Sequence, residues 1–468
     1  MTSLDNIARI FALQNQHQHA VRMTSAAQRV ARLNALRGAV VAHVSEVIAA
    51  LADDFGKPAF EAASEAMIVV GEIDYAVANL AQWMQPVEVA PSTHAAPGAR
   101  ARILREPKGR VLIFGPWNFP FSLLLQPLIG AIAAGNVCML KPSELAPATS
   151  AVSARLIRSI FAESEVAIVE GGADVAAALL EHPFDHIFFT GSTQVGKLVM
   201  AAAAKHLCSL TLELGGKSPV VIDDDADLAH AAQRIAWGKF LNAGQICLSP
   251  DYILIKREHR DAFVEHVARY VRNAFYPNDV FNAADYGRIV NERNLRRLTG
   301  LIDDAVSRGA RLALGGKALV GKASGRIEPT ILVDVPRDAA IMQQEVFGPV
   351  MLVLCYEHLD DAVAQINGRD KPLALYVFSR RAEFIDALLA RTSSGGVTVN
   401  DVIAHAAERN LPFGGVGSSG MGTYHGVHSF IAFTHERSVY HQALDNPSAT
   451  AALPPYQGKL EMLRKMLG

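Results

Sequence analysis

The sequence predicts an α/β fold of two domains, each a parallel sheet covered by helices. From Arg110 onward, short apolar runs alternate with Gly, Pro or Ser and then a helical stretch, the texture of strands joined by crossover helices. The runs fall into two series. VLIFG, VCMLKPSE, VAIVEGG and HIFFTGS form the first; LTLELGG, PVVI, YILI, PTILVDV, MLVLCY, LALYVFS and GGVTVN form the second, with a junction near 208–213. A chain of 468 residues is also too long for one core, and half of it is apolar with 19% charged, as in a protein with a large interior.

Residues 4–84 read as helices. AQRVARLNALRGAVVAHVSEVIAALADDFG carries apolar residues three and four apart and stops at Gly56. MQPVEVAPSTHAAPGARARILREPKG breaks that period with prolines and alternation, and reads as an extended hairpin or connector. FSLLLQPLIGAIAAG is shorter than the ~20 apolar residues of a bilayer span and reads as a buried helix.

Several function classes fall away on composition. A formal net charge of -2 gives no electrostatic case for nucleic acid or an acidic membrane surface. The N-terminus has neither a basic start nor an apolar signal core, so no targeting segment is expected. Cys138, Cys208, Cys247 and Cys355 are far apart without C-x-x-C spacing, which argues against a zinc site or a disulfide framework. A reducing, cytoplasmic setting is expected. His17 with His19, and His425 with His428, lack a third ligand, so no metal is expected.

The motifs are read in chain order. FGPWNFP follows a strand, and Asn118 offers an amide donor that can stabilise an oxyanion or can cap a turn. LKPSE places Lys141 and Glu144 past a strand end, where α/β sheets bind ligands, or as solvated charges opening a helix. In HIFFTGSTQVGK a strand ends at Thr190 and Gly191 and a helix begins near Ser192, with Gly196 allowing close approach. That is a phosphate seat or an ordinary turn, since the spacing is not G-x-G-x-x-G. LELGGKSP brings Glu213 out of an apolar strand, a setting that disfavours its charged form and suits a general base. Glu345 and Phe347 in EVFGPV have a similar setting. LNAGQICLSPDY puts Cys247 in a polar turn before a strand, unlike a core cysteine.

Together with LPFGGVGSSGMGTYHG, these pieces resemble, in order and spacing, the NAD(P)-dependent aldehyde dehydrogenase superfamily from about residue 5 to about 440. LELGGKSP with GQIC is the most specific part. PDY after Cys247, GGVGSSGMGTYHG and the short lead before the first strand resemble the class-three and coniferyl-aldehyde branch. The resemblance implies two Rossmann-like domains and a small β-hairpin bridging and oligomerisation element. The NAD(P)-binding domain would take residues 1–84 and 105–209, the catalytic domain 210–420, the bridging element 85–104 and 421–445, and a tail 446–468. A homodimer is implied.

By the same resemblance Cys247 is the nucleophile, and its polar turn and the cofactor charge are expected to favour the thiolate. Asn118 and the Cys247 backbone N–H hold the oxyanion, and Glu213, or else Glu345, activates the water that hydrolyses the thioester. Trp117, Lys141, Ser143, Glu144, Gly191, Ser192, Gly196, Leu214, Glu345 and Phe347 are implied for cofactor binding. NAD is the expected cofactor, with NADP admitted. Phe119, Trp237, Ile246 and Phe413 match substrate-tunnel positions, with no Arg or Lys among them. The expected substrate is an aromatic or medium-chain aliphatic aldehyde. The alternatives are a CoA-acylating dehydrogenase, against which Glu213 argues, and an inactive paralogue, against which the intact set Asn118, Glu213 and Cys247 argues.

Overall fold

Alternating residues of each central strand feed two separate cores, which is why the first-series runs are apolar without interruption. The computed structural model describes residues 3–92, 98–444 and 453–467. Val111, Ile113, Cys138, Leu140 and Phe188 pack into one core with the helices Ala26–Ala42, Val44–Phe55, Ala59–Trp83 and Ser122–Ala134. Leu112, Phe114, Met139, Phe189 and Leu212 point the other way, onto Ser3–Arg22, Ala173–Leu180 and Thr193–Ala204. A side-chain period of two turns one apolar run into two buried faces.

The first sheet has six strands, in the order Gly420–Met421, Ser209–Glu213, His186–Thr190, Arg110–Phe114, Val137–Lys141 and Val166–Ile168. All neighbours are parallel except Gly420–Met421, which runs antiparallel to Ser209–Glu213. The chain starts in the middle at Arg110–Phe114, moves outward to Val166–Ile168, then crosses to His186–Thr190. The order therefore reverses between Arg110–Phe114 and His186–Thr190, and the crevice beyond those carboxyl ends is where such sheets bind ligands. The loops 115–121 and 191–192 both leave the sheet there.

The second sheet has seven strands, in the order Arg311–Leu314, Thr330–Val333, Val350–Tyr356, Tyr252–Lys256, Pro219–Ile222, Ala374–Phe378 and Gly396–Val399. Six are parallel; Arg311–Leu314 pairs antiparallel at the edge. That edge strand is absent from the sequence reading because it is short and largely exposed, so it lacks the apolar run that marked the others. A third sheet pairs Val87–Val89, Arg100–Pro107 and Thr434–His441 antiparallel. Residues 93–97, which follow the first of these strands in the sequence, and residues 445–452 of the expected tail lie outside the described residues.

Two expectations need correction. LTLELGG opens the second series in the sequence, but Ser209–Glu213 pairs with His186–Thr190 and belongs to the first sheet. An apolar run does not reveal which sheet it joins; pairing does. The bridging segment expected over 421–445 is also shorter. Met421 lies on the first sheet, and helix Gly426–Ala432 packs on Ser122–Ala134, so only Thr434–His441 pairs with the hairpin. The hairpin itself runs on to Pro107.

Among the described residues no single helix is long and apolar enough to cross a membrane; Ala26–Ala42 with Val44–Phe55 passes only as a pair bent by 63°. Both of these helices turn Leu33, Leu36, Val40, Val47 and Leu51 into the core.

Helix Ser122–Ala134 crosses Gly426–Ala432 at Gly130, where an added Cβ would lie 2.7 Å from the Ser429 Cβ and 3.1 Å from the Phe433 ring. Gly130→Val should therefore lower stability by about 1–3 kcal/mol through overpacking. The check is the apparent Tm of the purified variant; an unchanged Tm would show that the crossing can give way.

Candidate active site

Two loops from different sheets meet through their amides. The first, 115–121, leaves Arg110–Phe114 at the reversal of strand order. The second, 241–251, joins helix Leu228–Phe240 to strand Tyr252–Lys256 and carries Cys247. The Asn118 Nδ2 donates to the Gln245 carbonyl at 3.0 Å, and the Asn242 Nδ2 donates back to the Asn118 carbonyl at 3.0 Å. Gln245 is fixed in turn: its Nε2 donates to the Arg288 carbonyl at 3.0 Å, and its Oε1 accepts the Val290 N–H at 2.9 Å. The loop makes its bend through Asn242, Ala243 and Gly244, all at positive φ (51°, 52° and 72°). A run of left-handed residues persists only where its surroundings fix it.

At the thiol, burial outweighs the help this turn gives. Burial, then the charges of Glu345 and Glu213, push Cys247 up to about 12, while the backbone N–H groups of Cys247 and Leu248 act the other way. Asn242 and Gln245 direct their polar atoms at the backbone and hold the loop.

The two carboxylates differ in what they touch. Glu213 ends its strand fully enclosed, and neither Oε1 nor Oε2 has a hydrogen-bond partner. Burial raises its pKa well above the ordinary carboxylate range. Glu345 is partly buried and accepts the Gly216 N–H; burial and then the charge of Asp251 push it up to about 8. Its Oε2 lies 2.1 Å from where a Cβ on Gly215 would stand, so a side chain there would displace the carboxylate. The Glu345 loop is tied down by Asp251, which pairs with Lys217 and accepts the Val346 N–H at 2.9 Å. Lys217 also donates to the carbonyls of Ile341 and Gln344, each at 2.9 Å. The lysine of LELGGKSP and the aspartate of SPDY are therefore partners, a relation that sequence spacing does not reveal.

Most of the expected cofactor positions lie just past the carboxyl ends of the first sheet's strands, while Glu345 and Phe347 come from the loop before Val350–Tyr356 of the second sheet. Ser192 caps helix Thr193–Ala204, accepting from the Val195 N–H, and Gly196 faces the Leu214 side chain, which a Cβ would meet at 2.7 Å. A Cβ on Gly191 would meet the Phe189 ring at 2.6 Å. The Lys141 Nζ pairs with the Glu144 Oε2 at 2.8 Å; Lys141 and Ser143 are buried and Glu144 is exposed. Trp117 meets Phe347 edge to face at 5.3 Å, with Phe347 at φ +46°. A cleft of about 580 Å³ opens between the sheets, bordered by Thr193, Gly215, Glu345, Lys371 and Ser418; Cys247 does not line it. An open helix N-terminus, a Lys–Glu pair at a strand end and a cleft between sheets fit a dinucleotide.

The four expected tunnel residues are less uniform. Ile246 and Phe413 are buried. Phe413 stacks on His425 at 4.9 Å and meets Tyr424 edge to face; the Tyr424 phenol, raised by burial, also feels Glu213 and Cys247. Phe119 and Trp237 are only partly buried, and each lies under a cation: Lys57 at 4.2 Å and Arg234 at 4.5 Å. These cations are not at the matched positions, so the sequence reading missed them. Lys57 pairs with Glu65 and Arg234 with Asp401, both at 2.6 Å. His405 hydrogen-bonds Thr398 Oγ1 at 2.7 Å, and burial lowers it to about 4.

The sheet order and the cleft define a dinucleotide-binding α/β enzyme. Sequence comparison narrows this: the profile of the aldehyde dehydrogenase family matches residues 2–439, and the chain belongs to that family. It is 45% identical over 434 residues to the dimeric NADP-preferring aldehyde dehydrogenase of Rattus norvegicus, covering 92% of this chain and 94% of that one. It is 43% identical over 447 residues to aldehyde dehydrogenase family 3 member A2 of Macaca fascicularis, covering 93% and 90%. The substrate-bound structure of Staphylococcus aureus AldH matches with a TM-score of 0.92 at 39% identity, covering 99% of each chain. The protein is an NAD(P)-dependent aldehyde-oxidising enzyme with class-three relatives.

The unpartnered Glu213 makes a stability prediction. Its folded pKa lies above the unfolded value of about 4.3, so the folded state holds a proton that unfolding releases. The penalty for burying this group grows as pH rises from about 4.3 to the folded pKa, and is constant beyond it. Glu213→Gln should therefore raise the apparent Tm at pH 8, and by less at pH 5. Equal Tm differences at both pH values would show that Glu213 is ionised in the folded state.

Proposed function

We propose that Cys247 is the nucleophile, Asn118 an oxyanion donor and Glu213 the base that activates the hydrolytic water. The observation that carries this is Glu213: a carboxylate enclosed in protein, close enough to Cys247 to shift it, with both oxygens free. A water at the thioester would give those oxygens the partner they lack. Glu345 is the weaker candidate because it already accepts the Gly216 N–H.

The Cys247 sulfur bonds to the aldehyde carbon and its proton leaves the thiol. The negative charge that forms on oxygen meets the Asn118 side-chain amide, which has one N–H left after its bond to Gln245, and the Cys247 backbone N–H. Bound NAD(P) in its oxidised form supplies the hydride acceptor and a positive charge that favours the thiolate. Water then adds to the thioester, Glu213 takes its proton, the carboxylic acid leaves and the thiol is restored. The raised pKa of Glu213 means that the base form gains as pH rises.

The residues favour NAD over NADP, since Glu144 can accept a ribose hydroxyl but repels a 2′-phosphate; Lys141, already paired with Glu144, tempers that preference. Ile246 and Phe413 offer apolar walls, and each methylene buried there contributes about 0.8 kcal/mol. Aromatic and medium-chain aldehydes are the proposed substrates. The cations over Phe119 and Trp237 already face carboxylates, so neither is free for a substrate anion. A homodimer is the proposed assembly, as in the name of the rat relative. Four free cysteines support a reducing, cytoplasmic setting.

Stopped-flow absorbance tests the chemistry. Glu213→Gln should give a burst of about one NADH per site and then a steady rate lower by 100-fold or more, on the order of what a lost general base removes. Cys247→Ala should give neither phase. Fast steady turnover by Glu213→Gln would move the base to Glu345 or elsewhere.

An aldehyde panel tests specificity. NADH formation without CoA should rise in kcat/KM from acetaldehyde to hexanal and be high for benzaldehyde and cinnamaldehyde. Succinic semialdehyde and betaine aldehyde should be poor, and NADP should be less efficient than NAD. A best substrate carrying a carboxylate would instead assign Arg234 to substrate capture, and strict dependence on CoA would overturn hydrolysis.

A further inference from the structure

A buried ion pair outside the residues assigned above is built into the loop that carries Asn118. Lys57 Nζ and Glu65 Oε1 are 2.6 Å apart, and both side chains are 0% exposed. The same Nζ donates to the Asn118 carbonyl at 3.1 Å. The other oxygen of Glu65, Oε2, accepts the N–H groups of Phe121 and Ser122 at 3.1 and 3.0 Å and the Ser122 hydroxyl at 3.3 Å. One pair thus grips the loop at Asn118 and again where it enters helix Ser122–Ala134. One turn earlier on the helix that carries Glu65, Glu61 Oε2 accepts the Asn242 N–H at 3.0 Å. Helix Ala59–Trp83 therefore holds both loops through carboxylates four residues apart.

Removing two charges from water is a poor way to add stability, since an apolar pair of similar volume commonly does as well. What this pair supplies is direction. The Asn118 carbonyl receives an ammonium and the Asn242 amide, so its peptide plane is fixed from two sides. Its side chain is fixed by the Gln245 carbonyl, two residues from the thiol.

We propose that Lys57 and Glu65 are positioning residues that set the Asn118 amide against the reacting carbon at Cys247. The inference rests on the reading of Asn118 as an oxyanion donor. A displacement of about 1 Å at a reacting centre lowers rates by up to about 100-fold, and a loop held at one end only has that freedom.

The test is the double variant Lys57→Met/Glu65→Gln in the full-length enzyme. It removes both charges of the pair together, and the introduced amide oxygen can still accept from Phe121 and Ser122. Two rates are compared: kcat/KM for hexanal with NAD, and alkylation of Cys247 by iodoacetamide, a reaction that forms no oxyanion. The expected result is a fall of about 10-fold in kcat/KM with alkylation unchanged within about twofold. A pair that merely supported the fold would move both rates together. A fall below about threefold, or a parallel loss of alkylation, overturns the proposal. Asn118→Ala, measured alongside, should lose about 100-fold or more. If Asn118→Ala is harmless, the oxyanion reading fails; if it is costly and the double variant is not, the positioning role alone fails. Should the double variant not fold, as judged by circular dichroism, Glu65→Gln carries the same comparison with the same threefold limit.

Discussion

Exclusion of water from charged groups at the junction of the two sheets is the constraint on which the rest depends. Six ionisable groups there are largely shut off from solvent, and the structure treats them in two ways. Lys57 with Glu65, and Lys217 with Asp251, are paired, and each pair spends its remaining hydrogen bonds on backbone of a reacting loop. Cys247 and Glu213 have no opposite charge, so burial drives both toward their neutral forms. Paired groups hold the geometry, and unpaired ones are left for chemistry.

The same junction is assembled by close backbone approach. Gly244 sits where a Cβ would lie 2.3 Å from the Gly348 carbonyl, so the nucleophile loop packs directly on the loop that carries Glu345. Gly215 leaves room for the Glu345 carboxylate in the same way. The short strand Gly420–Met421 adds a third tie: it pairs with the strand that ends in Glu213, and the Leu214 N–H donates to the Ser419 carbonyl at 3.0 Å. LPFGGVGSSGMGTYHG thereby braces Glu213, the proposed base, from over two hundred residues away in sequence.

Position in the sheet explains why one fold serves both halves of the reaction. The reversal of strand order puts the Asn118 loop and the Ser192 helix N-terminus at one crevice, where a bound dinucleotide and the proposed oxyanion donor would share a wall. The thiol comes from the loop that enters the second sheet at Tyr252–Lys256.

By itself the sequence determined the α/β class, nearly every strand and the family, because an apolar run between turn residues needs only local chemistry to be recognised. The motifs around Asn118, Glu213, Cys247 and Glu345 were likewise legible as short strings. Tertiary structure decided what those strings do to each other. It assigned Ser209–Glu213 to the first sheet, because a strand's partner is chosen by pairing and not by its own residues. It showed Asn242 and Gln245 spent on backbone, so that their side chains anchor the loop that carries the thiol. It joined Lys57 to the Asn118 carbonyl, sixty-one residues apart in sequence, through a lysine paired with Glu65 whose meaning depends on complete burial, and burial is a property of the packed chain alone.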